Sequence, residues 1–320
     1  MTAGSRRITV LCACLAVLSL AACGKREAPA TDPAAAATEA EARRAFAASE
    51  QAWRRQRHDE LVAPDGWTTL IGLHWIERGP HYVGSERDNG IRIAMGPPQL
   101  GMLTLARDGT LSLVPHAGAG LTLDGKPLRA RAALRSDADP AGASAIGFDD
   151  GKGIATVIQR GDRLALRVRH ADAPSRTGFT GVRYWPAERS WRIAGRFVPH
   201  PPGRTLEIAN IVGTVEATPN PGVVEFTHGG KPYRLEALDG GEGALFLVFA
   251  DHGNGRGSYA AGRFLDVDKP DAAGRVVLDF NRSYNPPCAF TAFATCPLPP
   301  PQNRLDFTVD AGEQAYAPPK

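Results

Sequence analysis

The stretch from Gly90 to Val114, GIRIAMGPPQLGMLTLARDGTLSLV, shows the pattern that decides the fold. Three short runs of alternating apolar and polar residues, GIRIA, MLTLA and TLSLV, are separated by Gly, Pro and Asp. A period of two places the apolar side chains on one face of a strand, and the separating residues are turn formers. The stretch therefore predicts three short strands joined by turns.

The same pattern continues through most of the chain. Asp124-Gly125, which follows the short run Leu121 to Leu123, is typical of a two-residue hairpin turn. Further runs of strand type occur at 154–159, 163–168, 223–227, 233–237, 244–250 and 275–280. Strands at this spacing predict a mainly β protein in which antiparallel sheets pack as sandwiches or barrels.

One segment before these strands has a helical period instead. Residues 39–61 contain no Gly or Pro, and one stripe at helical spacing is formed by Ala42, Ala45, Phe46, Ser49, Ala52, Trp53 and Gln56. We therefore predict a single amphipathic helix at the N-terminal end of the globular part. Arg54, Arg55 and Arg57 are expected on its solvated face, with contact to anionic headgroups as the alternative.

The first 22 residues have the parts of an export signal. A basic start is followed by an uncharged apolar run from Ile8 to Leu20, shorter than the ~20 residues that span a bilayer. Residues 20–23 (LAAC) resemble the bacterial lipobox, in which the cysteine is acylated after export. We therefore expect a lipoprotein anchored to a membrane through Cys23, on the outer membrane facing the periplasm if the cell is Gram-negative. A plain cleaved signal is the alternative.

These segments divide the chain into four parts. Residues 23–41 are rich in Ala, Pro and charge, and we expect a flexible tether there. Pro199, Pro201, Pro202 and Gly203 interrupt the strand pattern, so we place a domain boundary at this point. The prediction is a signal peptide at 1–22, a tether at 23–41, a helix with a β-domain at 42–198 and a C-terminal β-domain at 199–320. A crossover within one continuous β-domain is the alternative.

Composition argues against several function classes. The formal net charge of +3 over 320 residues is small, so nothing indicates nucleic-acid binding. The eight histidines lack zinc-type spacing, and the sequence has no phosphate loop, dinucleotide fingerprint or Gly-x-Ser-x-Gly elbow. We therefore expect neither a metal nor a cofactor.

Only two of the five cysteines, Cys288 and Cys296, belong to the predicted globular part. In an oxidising compartment such a pair is a candidate disulfide. Buried thiols are the first alternative, and a catalytic or metal-binding role is the second.

The C-terminal third carries an unusual segment, residues 278–290 (LDFNRSYNPPCAF) followed by 294–305 (ATCPLPPPQNRL). This segment resembles the signature of the DUF1684 family, a family of unknown function. The resemblance extends upstream through 262–265 (GRFL) and 66–75 (GWTTLIGLHW) to cover roughly residues 42–317. It implies membership of a family but no activity.

The end of the apolar strand near residue 280 carries more polar groups than a strand end requires: Asp279, Asn281, Tyr284 and Asn285. We predict that they form a polar pocket for a small polar or anionic ligand. Arg263 would be the cationic partner of a carboxylate or phosphate on that ligand. The alternative is that Asp279 and Asn281 only satisfy the backbone of the Pro-rich loop.

Two function hypotheses follow from these patterns. The first is a lipid-anchored cell-envelope protein that binds a small ligand at the membrane surface. The second is an enzyme acting on a small envelope metabolite, with Asp279 as general base and Tyr284 or Tyr259 as acid. The first is favoured because no catalytic motif was found in the sequence.

Overall fold

The computed structural model describes Met1 and residues 33–317 of the chain. Residues 2–22 of the predicted signal peptide, Cys23 and residues 24–32 of the predicted tether lie outside the described residues. The chain divides into two compact units, Met1–Arg44 and Ala45–Lys320. In the first unit, Glu39 and Arg43 form an ion pair of 2.9 Å one helical turn apart. All candidate ligand-binding residues and both candidate disulfide cysteines lie in the second unit.

One long helix, α1, spans Pro33–Val62. The predicted N-terminal helix is confirmed, but it begins earlier than residue 39, within the predicted tether. Residues 34–37 are four consecutive alanines, which have the highest helix propensity, and proline is tolerated in a first helical turn. Large apolar residues are needed to bury a core but not to form a helix, so their lack does not exclude a helix here. Among the described helices, none has the length and apolarity needed to cross a membrane.

The rest of the described chain is mostly β structure, with a short helix α2 at Pro174–Thr177 and several 3-10 turns. The strands are β1 (Leu70–Trp75), β2 (Gly79–Gly84), β3 (Ile91–Arg92), β4 (Gly101–Leu105), β5 (Leu111–Pro115), β6 (Thr122–Leu123), β7 (Lys126–Pro127), β8 (Ala132–Ala133), β9 (Ala145–Phe148), β10 (Gly153–Arg160), β11 (Arg163–His170), β12 (Arg192–Pro199), β13 (Thr205–Ala209), β14 (Val215–Pro219), β15 (Gly222–His228), β16 (Lys231–Asp239), β17 (Leu245–Phe249), β18 (Arg263–Val267) and β19 (Arg275–Asp279). The mainly β prediction is confirmed, and the predicted strands end within two residues of observed ones.

Two sheets enclose the first hydrophobic core. One has the strand order β1-β11-β10-β9-β6-β7, and the other has the order β3-β2-β4-β5-β8. Their apolar faces meet in a cluster that includes Val83, Leu103, Ile146, Val157, Leu166 and Val168. Side chains alternate along a strand, so Arg167 and Arg169 of β11 project from the opposite face of the first sheet.

The turn at Asp124-Gly125 joins β6 to β7 as the sequence predicts. Its two residues have φ angles of 49° and 79°, and the flanking strands pair antiparallel. Two successive positive φ angles are those of a hairpin turn that matches the twist of the strands, and Asp-Gly accommodates them well.

A third sheet, with the order β18-β17-β16-β15-β12-β19, carries apolar clusters on both faces. Leu247 and Phe249 of β17 lie in the second core, whereas Phe246 and Val248 belong to a third cluster on the other face. Trp67 packs against this third cluster. The even-numbered residues of β17 and β18 therefore face the third cluster and point away from the second core.

Strand β12 lies at the predicted domain boundary. It pairs with β15 and β19, so the boundary predicted after residue 198 falls in its last residues. The Pro-rich segment then leads from β12 to the two-stranded hairpin of β13 and β14. The division into two β-domains stays a prediction.

Candidate functional site

The helix α1 directs two arginines toward the β structure. Arg57 donates from Nε to Glu313 Oε1 and from Nη2 to the Asn285 carbonyl oxygen, both at 3.0 Å. Arg54 donates to a main-chain carbonyl oxygen at 3.0 Å. The expectation that Arg54 and Arg57 lie on a solvated face was wrong, because their long side chains reach buried acceptors. Arg55 is exposed, as expected.

Glu313, the partner of Arg57, is completely buried. Its carboxylate also accepts the Asn285 N–H at 2.7 Å and the Tyr184 hydroxyl at 3.4 Å. Burial raises the pKa of Glu313, and the guanidinium of Arg57 opposes this shift. The Arg57 side chain is only 11% exposed, so the two form a buried ion pair.

A pocket of about 350 Å³ lies between α1 and strands β17 and β18. Its lining residues are Trp53, Gln56, Arg57, Glu60, Trp67, Phe246, Phe264, Asp266, Tyr284 and Pro287. A concave site walled by aromatic rings with a few polar groups is the usual form of a small-molecule site. We take this pocket as the candidate functional site.

The aromatic wall is held rigidly. Phe264 packs edge-to-face against Phe246 and against Tyr284, with ring centroids 4.9 Å and 5.7 Å apart. The main chains of Phe264 and Tyr284 also exchange two hydrogen bonds of 2.9 Å. The Arg57 guanidinium lies 4.5 Å from the centre of the Tyr284 ring and covers its face. These contacts fix the rings before any ligand arrives.

Two carboxylates, Glu60 and Asp266, complete the lining. Both are exposed, Glu60 accepts a hydrogen bond from Gln56 at 2.9 Å, and the Tyr284 hydroxyl hydrogen-bonds Asp266. Partial desolvation raises the pKa of Asp266 and the charge of Glu60 raises it further, whereas Tyr284 and Arg57 oppose the shift. Within the described part of the chain, neither carboxylate forms an ion pair. The pocket therefore carries negative charge beside aromatic rings.

Of the residues predicted to bind a ligand, Tyr284 lines this pocket and Arg263 does not. Arg263 is fully buried and donates from Nη2 to Asp251 Oδ2 at 2.7 Å. It also donates to the carbonyl oxygens of Ala311 and Val309, at 2.6 Å and 2.8 Å. Arg263 therefore pairs with Asp251 and not with Asp279.

Asp279 and Asn281 support the backbone around them. Asp279 Oδ1 accepts from the Asn281 main chain at 3.3 Å and side chain at 2.9 Å, and Oδ2 pairs with Arg192 at 3.0 Å. The Asn281 amide exchanges two bonds of 2.9 Å with the main chain of Glu188. These are the bonds expected of a loop scaffold. Ligand binding by the two residues stays a prediction.

The remaining candidates lie in the loop after Tyr284. Asn285 is buried, and its side-chain nitrogen donates to the Gln314 carbonyl oxygen at 2.7 Å. Cys288 and Cys296 are free thiols, and the Cys288 N–H donates to the Cys296 sulfur at 3.0 Å. The Tyr259 hydroxyl donates to the Cys288 carbonyl oxygen at 3.1 Å. The fold places the two cysteines side by side without a covalent bond between them. A disulfide between them stays a prediction.

Sequence reasoning missed most of the pocket. The sequence places Trp53 in the predicted helical stripe and Phe264 in the 262–265 motif, but nothing in it connects the two positions. Asp266 and Phe246 lie in ordinary strands, and nothing in the sequence marks them. Only the fold shows that alternate residues of β17 and β18 face the helix.

Comparison with known proteins gives a family and no activity. Residues 177–314 match the model of DUF1684, described as a protein of unknown function, over a shorter range than the resemblance at 42–317. The solution NMR structure of an uncharacterized protein from Haloarcula marismortui is 27% identical, covers 43% of this chain and 78% of its own, and has a TM-score of 0.36. No curated protein matches the chain. Residues 177–314, which contain Phe264, Asp266 and Tyr284, thus belong to the DUF1684 family.

Proposed function

We propose that this chain is an exported, lipid-anchored binding protein of the cell envelope. We propose further that the pocket beside α1 binds a small ligand with an apolar body and a positively charged amine. The observation that carries the proposal is the placement of two carboxylates, Glu60 and Asp266, that form no ion pair with any described residue, beside five aromatic rings. Aromatic faces attract cations, and carboxylates supply charge-assisted hydrogen bonds to an ammonium group.

The charges of the pocket favour a cation over an anion. Arg57 is the only arginine or lysine among the described lining residues, and Glu313 already neutralises it. The charge of Glu60 raises the pKa of Asp266, although Tyr284 and Arg57 have larger opposing effects, so the two carboxylates repel each other. An ammonium group between them would relieve that repulsion. The expectation of a polar ligand is therefore kept, whereas an anionic one is not favoured in this pocket.

Binding can be tested with two probes that share a phenyl ring and differ in charge, 2-phenylethylamine and 3-phenylpropionate. Trp53 and Trp67 line the pocket, so binding should change tryptophan fluorescence. We expect the amine to bind at least tenfold more tightly than the carboxylate. Asp266→Asn should weaken amine binding about tenfold, or ~1.4 kcal/mol, because it removes one counter-charge.

The control is Asp59→Asn, which removes the acid that precedes Glu60 in α1 but lies outside this pocket. It should leave the affinity for the amine unchanged. Tighter binding of 3-phenylpropionate, or equal loss in both variants, would refute the proposal. Affinity should also fall on acidification, since protonating Asp266 has the same effect as replacing it.

The proposed anchor rests on the signal and lipobox features of residues 1–23. Labelled palmitate should enter the wild-type protein in a bacterial host and be absent from Cys23→Ser, because acylation requires the thiol. Cys14→Ser, which changes a cysteine within the signal, should be labelled like the wild type. Equal labelling of the Cys23→Ser variant would contradict lipidation at this residue.

A further inference from the structure

A second charged site lies where β10 and β11 meet the loop around Thr295, and one of its arginines, Arg167, has its guanidinium 5.8 Å from the centre of the ring of Trp67, which lines the pocket described above. Arg160 and Arg163 are cross-strand partners at the ends of β10 and β11, and Arg167 and Arg169 follow on the same face. Arg160 donates from Nε to the Thr295 hydroxyl oxygen at 3.0 Å, and Arg167 donates to it from Nη2 at 3.2 Å. Two guanidinium groups thus converge on one neutral hydroxyl.

The positive charge at this point is poorly compensated. Arg160 pairs with Asp137 at 2.8 Å, but Arg167 forms no ion pair within residues 33–317. Arg167 is 8% exposed, and its buried Nε has no hydrogen-bond partner in the part of the chain that the structure describes. Burial of Arg167, reinforced by the nearby charges of Arg160 and Arg169, lowers its pKa to about 10. A buried cation without a counter-ion is costly, so the fold keeps Arg167 at an energetic disadvantage.

The Thr295 hydroxyl does not remove this cost. Its oxygen has two lone pairs and can accept from both arginines, but it carries no charge. An oxyanion, by contrast, offers several acceptor oxygens and the counter-charge that Arg167 lacks within residues 33–317. The Arg160 side chain is 21% exposed and Thr295 is partly exposed, so solvent reaches the edge of the cluster.

We propose that Arg160, Arg167 and Thr295 form a binding site for an oxyanion, such as a phosphate or carboxylate group of a ligand. This site is distinct from the proposed amine pocket, because none of its three residues lines that pocket, although Arg167 has the pocket residue Trp67 as a neighbour. In the occupied site the anion accepts from the Arg167 Nε and Nη2 together, and the Thr295 hydroxyl donates to it.

The first test measures thermal unfolding of the mature protein in sodium phosphate, sodium sulfate and sodium acetate, each against sodium chloride at equal ionic strength. We expect at least one oxyanion to raise Tm in proportion to the logarithm of its concentration, as binding to the folded state requires. The tetrahedral anions and acetate separate a phosphate-like from a carboxylate ligand. If none of the three raises Tm above the chloride value, the proposal is wrong.

Arg167→Met gives the second test. It should weaken binding of the effective anion at least tenfold, while Tm in chloride stays the same or rises because a buried cation is replaced by an apolar side chain. Arg163→Met is the matched control, since Arg163 lies on the same face of β11 but is exposed above Trp75. An undiminished anion response in Arg167→Met would overturn the proposal.

Two variants of Thr295 keep the proposal testable if Arg167→Met fails to fold. Thr295→Glu places a tethered carboxylate between the two arginines, so it should raise Tm in chloride and abolish the response to the added anion. Thr295→Gln has the same size without the charge and should not raise Tm. If the Glu and Gln variants are equally stable and respond equally to the anion, no anion site exists here.

Discussion

Replacing Arg57 with methionine is expected to lower the free energy of unfolding by about 3 to 5 kcal/mol, the usual cost of breaking a buried ion pair from one side. The reason is that Glu313, which is completely buried, loses the cation that lies 3.0 Å from its carboxylate. Urea unfolding of the variant and the wild type at pH 7.5 measures the difference. Arg55→Met, an exposed position on the same helix, should change stability by no more than ~0.5 kcal/mol.

The effect of Arg57→Met should depend on pH in a defined direction. Burial already raises the pKa of Glu313 in the folded protein, and the loss of Arg57 removes an opposing charge and raises it further. A carboxyl with a raised folded pKa binds its proton better when folded, so its penalty is full above that pKa and disappears below the unfolded value of ~4.3. The stability deficit of the variant should therefore shrink as the pH falls from 8 to 5.

Adding Glu313→Gln to Arg57→Met should recover most of the lost stability at neutral pH, because no buried charge then remains unpaired. A deficit that stays constant across this pH range, or a double variant as unstable as Arg57→Met, would show that Glu313 is not the source of the cost.

Asp251→Asn is expected to be about as destabilising, by ~3 to 5 kcal/mol, because it leaves the guanidinium of Arg263 buried without a counter-ion. The two side chains are 1% and 0% exposed and lie 2.7 Å apart. A double-mutant cycle with Arg263→Met, read by urea unfolding, should give a large coupling energy.

The matched cycle pairs Arg263→Met with Asp279→Asn. Asp279 has its own partner in Arg192, so the coupling should lie within the ~0.5 kcal/mol expected of independent sites. Strong coupling to Asp279, or none to Asp251, would contradict the pairing that the structure shows.

The strands could be predicted where apolar and polar residues alternate within a few positions of the sequence. Residues 101–105 and 111–115 alternate clearly, and a two-residue period needs no knowledge of the rest of the chain. Strand β12 could not be predicted, since its sequence RIAGRFVP carries a glycine, two arginines and a proline. Its strand conformation depends on pairing with β15 and β19, which are distant in sequence.

The buried charges were the harder part of the site to predict. Asp251 follows the apolar strand β17 and Asp279 ends the apolar strand β19, and in the sequence Asp279 lies in the more unusual segment. Which of the two meets Arg263 depends on how the strands pack. Arg57 posed a similar difficulty, because an arginine in a polar stretch of helix is usually solvated. Its buried partner, Glu313, lies 256 residues further along the chain, so the sequence around Arg57 does not indicate the pairing.

The pair of Arg57 and Glu313 has a consequence for the order in which the chain folds. Because its members are 256 residues apart, the contact closes a loop that contains almost the whole β structure. Such a contact carries a large entropic cost before it forms, and contacts of high sequence separation slow folding. It also cannot form until Glu313 has been synthesised. A nascent chain that has not yet reached Glu313 therefore lacks the carboxylate that pairs with Arg57 in the folded protein, and this ion pair is not available until synthesis has passed that residue.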